Sequence, residues 1–546
     1  MRAHNKEVSM KVKILDCTLR DGAYIVNANF GKASIRGIVD KLNSARIDII
    51  EVGWLKNDAH KVGTTYYHVP QDFANYLNEK KENTIYTAMI DYNRYDIDSL
   101  PQNDGKYIDA IRIVFPYGKY KEGIEVGKKV LDKGYKIYFQ LANTLKYTND
   151  DLKIVVDEFN KLKPSGIYMV DTFGAMIDED VERIATFINQ NLDKDIDFGI
   201  HTHNNQQLAF SNTTVFLKTI EKMNIDREVI LDASLCGMGR GAGNATTELI
   251  VNYLNRKYDT HYDLDEVMDA IDLYMNYYKE HFSWGYSTEY FIAGIYTTHV
   301  NNIAYLLNNH NISAKDMRNI IESMGEKERR AYDYDYLENK YIENQNKTID
   351  DTKDMEHLKK EFADKDILLI APGKSSQTQK DKIISFIKEH KPIVIGVNAI
   401  LDEYDYDYIL FVNKGRFEYS QNSHRSKFEN TKKILLSNIK VNKDNDKEYI
   451  LSYSHAIKRG FMHFDNAVIS ALRLFDYMGM KNIYLSGFDG FKEKYNESYA
   501  DVHLPSLNVN TEWSKLNDEI KSMYNDVIEN KKNINVTFLT ESIFND

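Results

Sequence analysis

The residues best suited to chemistry are two histidines separated by one position, His201 and His203, which close an apolar run through Ile196, Phe198 and Ile200. Strand side chains alternate, so imidazoles at i and i+2 fall on one side, roughly 6 to 7 Å apart. At that spacing two neutral imidazoles can meet one metal ion. Further polar residues close other apolar runs: Asp16-Cys17-Thr18-Leu19-Arg20-Asp21-Gly22, Glu51, Arg112, and Asp171-Thr172-Phe173-Gly174. Taken singly, an aspartate at a strand end is a cap or turn former, and an arginine there is an ion-pair partner. Their recurrence at successive strand ends points instead to one shared site. The run Cys236-Gly237-Met238-Gly239-Arg240-Gly241-Ala242-Gly243-Asn244 follows the last of these strands. Its glycines would let backbone approach a ligand or ion closely, or cradle a phosphate.

The elements that must position these residues are eight short apolar runs: Val12 to Leu15, Ile47 to Val52, Thr84 to Ile90, Ala110 to Val114, Tyr135 to Leu141, Gly166 to Val170, Ile196 to His203 and Val229 to Ser234. Amphipathic stretches such as Lys32 to Ser44 and Asp150 to Lys161 lie between them. An eightfold strand-then-helix alternation predicts a (β/α)₈ TIM barrel, whose active site is built at the C-terminal ends of the strands. The polar residues above fall at those ends.

The combination of Thr18-Leu19-Arg20-Asp21-Gly22, His201-Thr202-His203-Asn204-Asn205 and the glycine loop ending in Gly243-Asn244, with Glu248 nearby, resembles the DRE-TIM metallolyase superfamily, HMG-CoA lyase-like proteins. It looks most like the 4-hydroxy-2-oxovalerate aldolase branch, over about residues 9 to 300. The resemblance implies Asp21, His201 and His203 as ligands of a divalent metal, Asn244 as a further or nearby ligand, and Arg20 as the group that meets an enolate oxygen. Such a ligand set leaves positions for a 2-oxo acid and suits Mn²⁺ or Mg²⁺, with Zn²⁺ and Co²⁺ as alternatives. The implied activity is a carbon–carbon lyase, an aldolase acting between pyruvate enolate and an aldehyde. Glu51, Arg112, Asp171 and Thr172 are expected to contact substrate. The alternatives are Claisen chemistry on an acyl-CoA, as in other branches of the superfamily, or a barrel retained for binding or regulation.

One position departs from the aldolase pattern. Where those enzymes carry a basic histidine two residues after the Asp-Gly pair, this chain has Tyr24. A phenol with its ordinary pKa near 10 is a poor base at neutral pH. Tyr24 could be a tuned acid or base, could orient an aldehyde hydroxyl, or could mark a different acceptor chemistry. Beyond the barrel, His261 to Glu280 reads as an amphipathic helix, and the aromatic segment that follows resembles the helical region over the barrel mouth in the aldolases. Tyr286, Tyr290 and His299 are its candidates for substrate contact.

These readings divide the 546 residues into a barrel (9–262), a helical extension (263–325), a charged linker (326–365) rich in Glu, Lys and Arg, and a second α/β domain (366–546). Ile367 to Ile370, Ile393 to Val397, Tyr408 to Val412, Ile434 to Leu436, Ile483 to Leu485 and Val536 to Leu539 read as buried parallel strands of a Rossmann-like, doubly wound domain. Its first turn, Ala371-Pro372-Gly373-Lys374-Ser375-Ser376, has the small residues of a phosphate-binding turn. With Asn398, Asn413 and Asp489 at other strand ends, the domain resembles the nucleotide-handling folds of sialyltransferase-like and hydroxymethylpterin pyrophosphokinase-like proteins. A nucleotide or nucleotide-sugar site follows as an expectation, with Gly373, Ser375, Ser376, Asn398 and Asp489 as its residues and His455 and His463 as further candidates.

Composition narrows the classes. No run approaches the roughly 18 apolar residues of a membrane span, and a formal charge of −12 opposes non-specific binding to nucleic acid. Two cysteines, Cys17 and Cys236, cannot build a disulfide framework and fit reduced thiols in a cytoplasm. The N-terminal segment to Lys11 lacks the apolar core of a secretory signal. The expectation is a cytoplasmic two-domain enzyme, with homo-oligomerisation open, whose aldol product passes onward into biosynthesis, surface sugars being the pathway suggested by the domain pairing.

Overall fold

The computed structural model describes residues 11–545 except 259, 311, 346–348, 440–446, 493–496 and 505–511. The expected start of the barrel at residue 9 and most of the segment read for a secretory signal lie outside the described residues. The chain divides into two units, Met1–Val300 and Asn301–Asp546. Among the described residues no helix is long and apolar enough to cross a membrane.

The first unit is a closed parallel barrel. Its strands are β1 (Lys11–Asp16), β2 (Ile49–Leu55), β3 (Ile85–Asp91), β4 (Ala110–Phe115), β5 (Lys136–Leu141), β6 (Gly166–Asp171), β7 (Asp197–Thr202) and β8 (Glu228–Ala233), each paired with the next. Pairing of β1 with both β8 and β2 closes the ring. Strands covered on both faces read as unbroken apolar runs, and β2 and β6 are buried at every position. Amphipathic helices cover the outside. Asn149–Leu162, for example, starts with a capping box in which Thr148 accepts from the Asp151 N–H.

Three local features depart from the expected strand limits. Strand β7 ends at Thr202, and His203 sits just beyond it in an isolated antiparallel bridge to Asn244. A two-residue strand, Tyr66–Tyr67, extends the sheet beside β2. The Arg20-Asp21 segment is helical, Thr18–Asp21, capped when the Gly22 N–H donates to the Thr18 carbonyl. After the barrel, the single helix expected over His261 to Glu280 is Leu264–Ala270, a π turn at Ile271–Met275, and Asn276–His281. Trp284 donates to the Cys236 carbonyl at 3.1 Å and Asn205 to the Tyr290 carbonyl at 3.1 Å. These bonds hold the post-barrel segment against the loops that follow β7 and β8.

The second unit contains β9 (Ile367–Ile370), β10 (Ile393–Val397), β11 (Tyr408–Phe411), β12 (Lys432–Leu436), β13 (Glu448–Leu451), β14 (Asn482–Ser486) and β15 (Asn535–Phe538). All pairs are parallel, in the order β13-β12-β11-β10-β9-β14-β15. The winding direction therefore reverses between β9 and β14. Strand β13 was not among the expected ones; it is a four-residue edge strand with alternating burial, too short to stand out in a charged stretch. Residues 326–365, expected as a linker, include the helices Glu326–Arg330, Tyr334–Gln345 and Thr352–Phe362. Leu337, Tyr341, Met355, Leu358 and Phe362 bury one side of the latter two.

Glycine at 199 in β7 has a packing reason. A Cβ there would stand 2.2 Å from the Tyr168 ring, and that buried ring lies 4.5 Å under the Arg112 guanidinium. Gly199→Ala is expected to lower the stability of the barrel by about 1–3 kcal/mol, which thermal denaturation of the full chain would register as a lower melting temperature.

Candidate active site

At the C-terminal end of the barrel, charged side chains from five strands or the turns following them close a ring. Arg20 donates from Nη1 to Asp21 Oδ1 at 2.6 Å and from Nε to Glu51 Oε2 at 2.7 Å. Arg112 donates to the same Glu51 oxygen at 2.8 Å, to Gln140 Oε1 at 2.9 Å and to Asp232 Oδ2. His201 Nδ1 is 3.0 Å from Asp232 Oδ2, and its Nε2 returns to Asp21 Oδ2 at 3.7 Å. Glu51 and Arg112 are fully buried, within the barrel rather than at its mouth. They are engaged with one another and with Asp232, so the structure places them beneath the site.

The ring decides the form in which the two histidines are presented. With its Nδ1–H donated to Asp232, His201 keeps a lone pair on Nε2. His203 donates Nδ1–H to the Asp171 carbonyl, 2.9 Å, so its Nε2 is likewise left with a lone pair. Burial, reinforced by the neighbouring His201, drives the His203 imidazole down to about 4 and keeps it neutral. Both Nε2 atoms lie within 4 Å of Asp21 Oδ2, at 3.7 and 3.8 Å. Burial alone would raise the Asp21 carboxyl, but Arg20 and the two imidazoles outweigh it and hold it at about 2. Asp21, His201 and His203 thus offer one carboxylate oxygen and two imidazole nitrogens within 4.8 Å of one another, a group that could hold a metal ion.

Asn244 completes this cluster. Its Nδ2 donates to Asp21 Oδ2 at 2.6 Å, and its buried Oδ1 has no hydrogen-bond partner among the described residues. The glycine loop serves this placement. A Cβ on Gly239 would stand 2.5 Å from Asn244 Nδ2, and one on Gly243 would stand 2.0 Å from the Gly237 carbonyl oxygen, so side chains there would displace Asn244. The Asn204 N–H also donates to the Gly243 carbonyl at 2.7 Å, tying the loop to the histidine strand. Glu248 braces the loop from behind by accepting from the Cys236 N–H.

The mouth above the cluster carries Tyr24, Arg240, Tyr290 and His299. Tyr24 keeps 42 % of its surface exposed, with Trp54 edge-on at 6.1 Å and the Arg240 guanidinium 4.6 Å from its ring centre. Desolvation of the phenol outweighs the pull of Arg240 and pushes it up to about 12. Tyr24 is therefore protonated at neutral pH. His299 is driven down to about 3 by burial and by Arg240, and burial also raises the Tyr290 phenol. Tyr286 is 51 % exposed and makes no hydrogen bond to the cluster among the described residues. Thr172 accepts from the Asn143 N–H, and the Asp171 carboxylate accepts from the Ala175 and Met176 N–H groups while burial raises it to about 7. Their side chains thus hold the β6 turn, and it is the Asp171 main chain that reaches His203.

Asp232, Gln140, Arg240 and Trp54 were missed by sequence reasoning. An acidic residue inside the apolar run Val229-Ile230-Leu231-Asp232-Ala233 was the available signal for Asp232, because an ionised side chain inside a barrel demands a partner.

In the second unit, the expected phosphate-binding turn is occupied from within. The Asp489 carboxylate accepts from both the N–H and the hydroxyl of Ser375, the Ser376 hydroxyl donates to the Gly373 carbonyl at 2.6 Å, and the Gly373 N–H donates to the Gly487 carbonyl at 2.8 Å. His455 stacks on Tyr477 with Asp351 at 3.3 Å, and His463 bridges Glu519 and the Asn308 carbonyl. The Asn398 side-chain oxygen accepts from the Val412 N–H at 2.7 Å, and its main-chain N–H donates to the Leu410 carbonyl at 2.8 Å.

Comparison with known proteins matches residues 120–273 to the HMGL-like family. This part of the chain is an HMGL-like domain. The oxaloacetate decarboxylase of Mycobacterium tuberculosis is 28% identical over 259 residues, which cover 47% of this chain and 74% of that protein. A 4-hydroxy-2-oxovalerate aldolase of Thermomicrobium roseum is 25% identical over 347 residues, 60% of this chain and 89% of that protein. Among solved structures, an HMG-CoA lyase from Brucella melitensis covers 50% of this chain and 99% of its own, at 16% identity and a TM-score of 0.37. The matches to the HMGL-like barrel thus include both decarboxylase and aldolase relatives.

The bond that His201 Nδ1 makes to Asp232 sets the orientation of the ring, and a carboxylate that holds a metal-ligating histidine in this way is worth about 10–100-fold in metal affinity. Asp232→Asn is expected to weaken Mn²⁺ binding by about that factor while the protein stays folded; calorimetric titration with circular dichroism as the folding control checks it.

Proposed function

We propose that the HMGL-like barrel is a divalent-metal-dependent lyase that makes or breaks the carbon–carbon bond one removed from the keto group of a 2-oxo acid, between the carbons α and β to that group, with pyruvate as one product. The observation that carries this reading is the pairing of the Asp21, His201 and His203 cluster with a buried arginine that keeps donors in reserve. Arg20 spends Nε on Glu51 and Nη1 on Asp21, and its Nη2 makes no hydrogen bond among the described residues.

Asp21, His201, His203 and the Asn244 oxygen would hold the metal, and their mixture of hard oxygen and borderline nitrogen donors suits Mn²⁺ or Mg²⁺. When bound, such an ion acts as a Lewis acid towards a keto oxygen. The protein's own part is electrostatic. Glu51 and Asp21 grip Arg20 on two sides and aim its remaining N–H groups at the place where enolate charge develops, at no cost of reorganisation. Arg112 and Asp232 orient Arg20 and His201 from below, so they are positioning residues.

Tyr24 bears on which bond is cleaved. Aldol cleavage needs a base for the hydroxyl proton, and a phenol held near 12 does not supply one. It can donate a hydrogen bond to an aldehyde oxygen, or deliver its proton to an enolate carbon. The second role is all that loss of CO₂ from a 2-oxo diacid requires. Our first reading remains aldol chemistry between pyruvate and an aldehyde; decarboxylation of an oxaloacetate-like diacid is the second, favoured by this neutral phenol.

A lactate-dehydrogenase-coupled assay separates the two. Pyruvate release is expected from 4-hydroxy-2-oxo acids in the first reading and from oxaloacetate in the second, abolished by EDTA and restored by Mn²⁺ in both. Absence of EDTA-sensitive turnover with either class, and with acyl-CoA substrates, would leave the binding-only reading. Because the phenol stays protonated, Tyr24→Phe is expected to lower kcat by about 10²–10³-fold without moving the pH profile between pH 6 and 9. A basic limb that disappears in the variant would show that Tyr24 titrates in turnover.

A further inference from the structure

A cleft of the second unit lies at the C-terminal ends of β9, β10, β11 and β14, spanning the reversal between β9 and β14. Open parallel sheets bind ligands at that place. Counted to its open mouth, open solvent included, it spans about 890 Å³. The turn read from sequence as its phosphate cradle cannot serve, since Asp489 already takes the Ser375 N–H and hydroxyl. What the cleft offers instead is a cation and a surplus of donors.

Arg416 lines the cleft and is only 4 % exposed. Among the described residues its guanidinium has no carboxylate partner and no hydrogen bond, and Nη1 is a buried donor without an acceptor. Its guanidinium lies over the Tyr499 ring, 4.9 Å from the ring centre. A buried, unpaired cation is costly, so its presence beside a cavity calls for an anion from outside. Three asparagines on the same wall point the same way. Asn398, Asn413 and Asn466 each use the side-chain oxygen to accept main-chain N–H groups, from Val412, from Arg416, and from Val468 and Ile469. Each amide nitrogen is left without a partner among the described residues. Asn398 holds this place in the left-handed region, φ 55°. Asn413 and Asn466 begin the helices Lys414–Ser423 and Ala467–Met478, whose N-termini add positive potential. The acids in the cleft are already engaged: Asp489 by Ser375, and Asp465 by the Tyr341 hydroxyl at 3.0 Å.

Next to this donor-rich end the wall is aromatic. Phe491 stands edge-on to Tyr499 at 5.8 Å and is backed by Trp513, stacked at 5.4 Å. A planar base can stack on such a surface while its phosphate meets the guanidinium. We propose that the second unit binds a nucleoside phosphate in this cleft, with Arg416 as the phosphate-binding cation and Phe491 and Tyr499 as the base-stacking wall.

Binding to the full chain can be followed by calorimetry and by quenching of Trp513, with nucleoside mono- and diphosphates, ribose 5-phosphate and inorganic phosphate as probes. At least one nucleotide is expected to bind one-to-one, at least tenfold tighter than ribose 5-phosphate. Arg416→Gln should weaken it more than tenfold without lowering the melting temperature of the unliganded protein, because the variant removes an uncompensated charge. Arg416→Lys, which keeps the charge, should recover part of the loss. No nucleotide binding at millimolar concentration, equal binding by the wild type and Arg416→Gln, or ribose 5-phosphate bound as tightly as any nucleotide would each overturn the proposal. Every residue of the cleft lies in the second unit, so the result is independent of the barrel's reaction.

Discussion

Glu51 Oε2, a single fully buried carboxylate oxygen, accepts a hydrogen bond from each of two guanidinium groups, those of Arg20 and Arg112. From it the charged ring runs one way through Arg20 to Asp21 and the other through Arg112 and Asp232 to His201. Ions taken out of water cost several kcal/mol each, and their mutual attraction repays this only when every geometry is good. A hydrophobic filling of the same space would be as stable or more so. What the ring supplies is orientation: each member has its direction set by two others, and the members come from elements far apart in the chain.

The formal charge of the ring is also informative. Asp21, Glu51 and Asp232 outnumber Arg20 and Arg112 by one, and the excess lies at Asp21, where both imidazole Nε2 atoms converge. A cation is favoured at that point. The glycine loop after β8 brings Asn244 onto the same carboxylate by removing the side chains that would stand in its way. Its conformational freedom thus serves packing against a polar residue, whereas the pattern alone was equally compatible with a phosphate cradle.

The second unit shows the opposite balance. Arg20 and Arg112 in the barrel are gripped by carboxylates, whereas among the described residues Arg416 has no carboxylate partner and its neighbouring asparagines have their oxygens spent on the main chain. One sheet is closed and holds paired charges among its buried side chains. The other is open and keeps donors along its C-terminal edge.

Much of this was legible in the residue order. Eight alternating apolar runs determine the barrel, because strands covered on both faces are apolar at most positions, and strand ends in such a barrel determine where Arg20, Asp21, His201 and His203 gather. The runs from Ile367 onward determine a second parallel sheet by the same logic, though not the short edge strand β13. Tertiary structure alone decided the roles of single side chains. Glu51 and Arg112 look like substrate contacts in sequence and prove to be buried supports, because inward-facing strand positions below the mouth are sealed by their neighbours. Asp232 becomes the partner of two residues that are 31 and 120 positions away. Desolvation raises the Tyr24 phenol further above its ordinary value, and the phosphate-like turn at Ser375 is closed by an aspartate 114 residues later. Periodicity and composition are local properties and can be read along a chain. Desolvation and charge pairing depend on which distant residues meet, and only the fold specifies that.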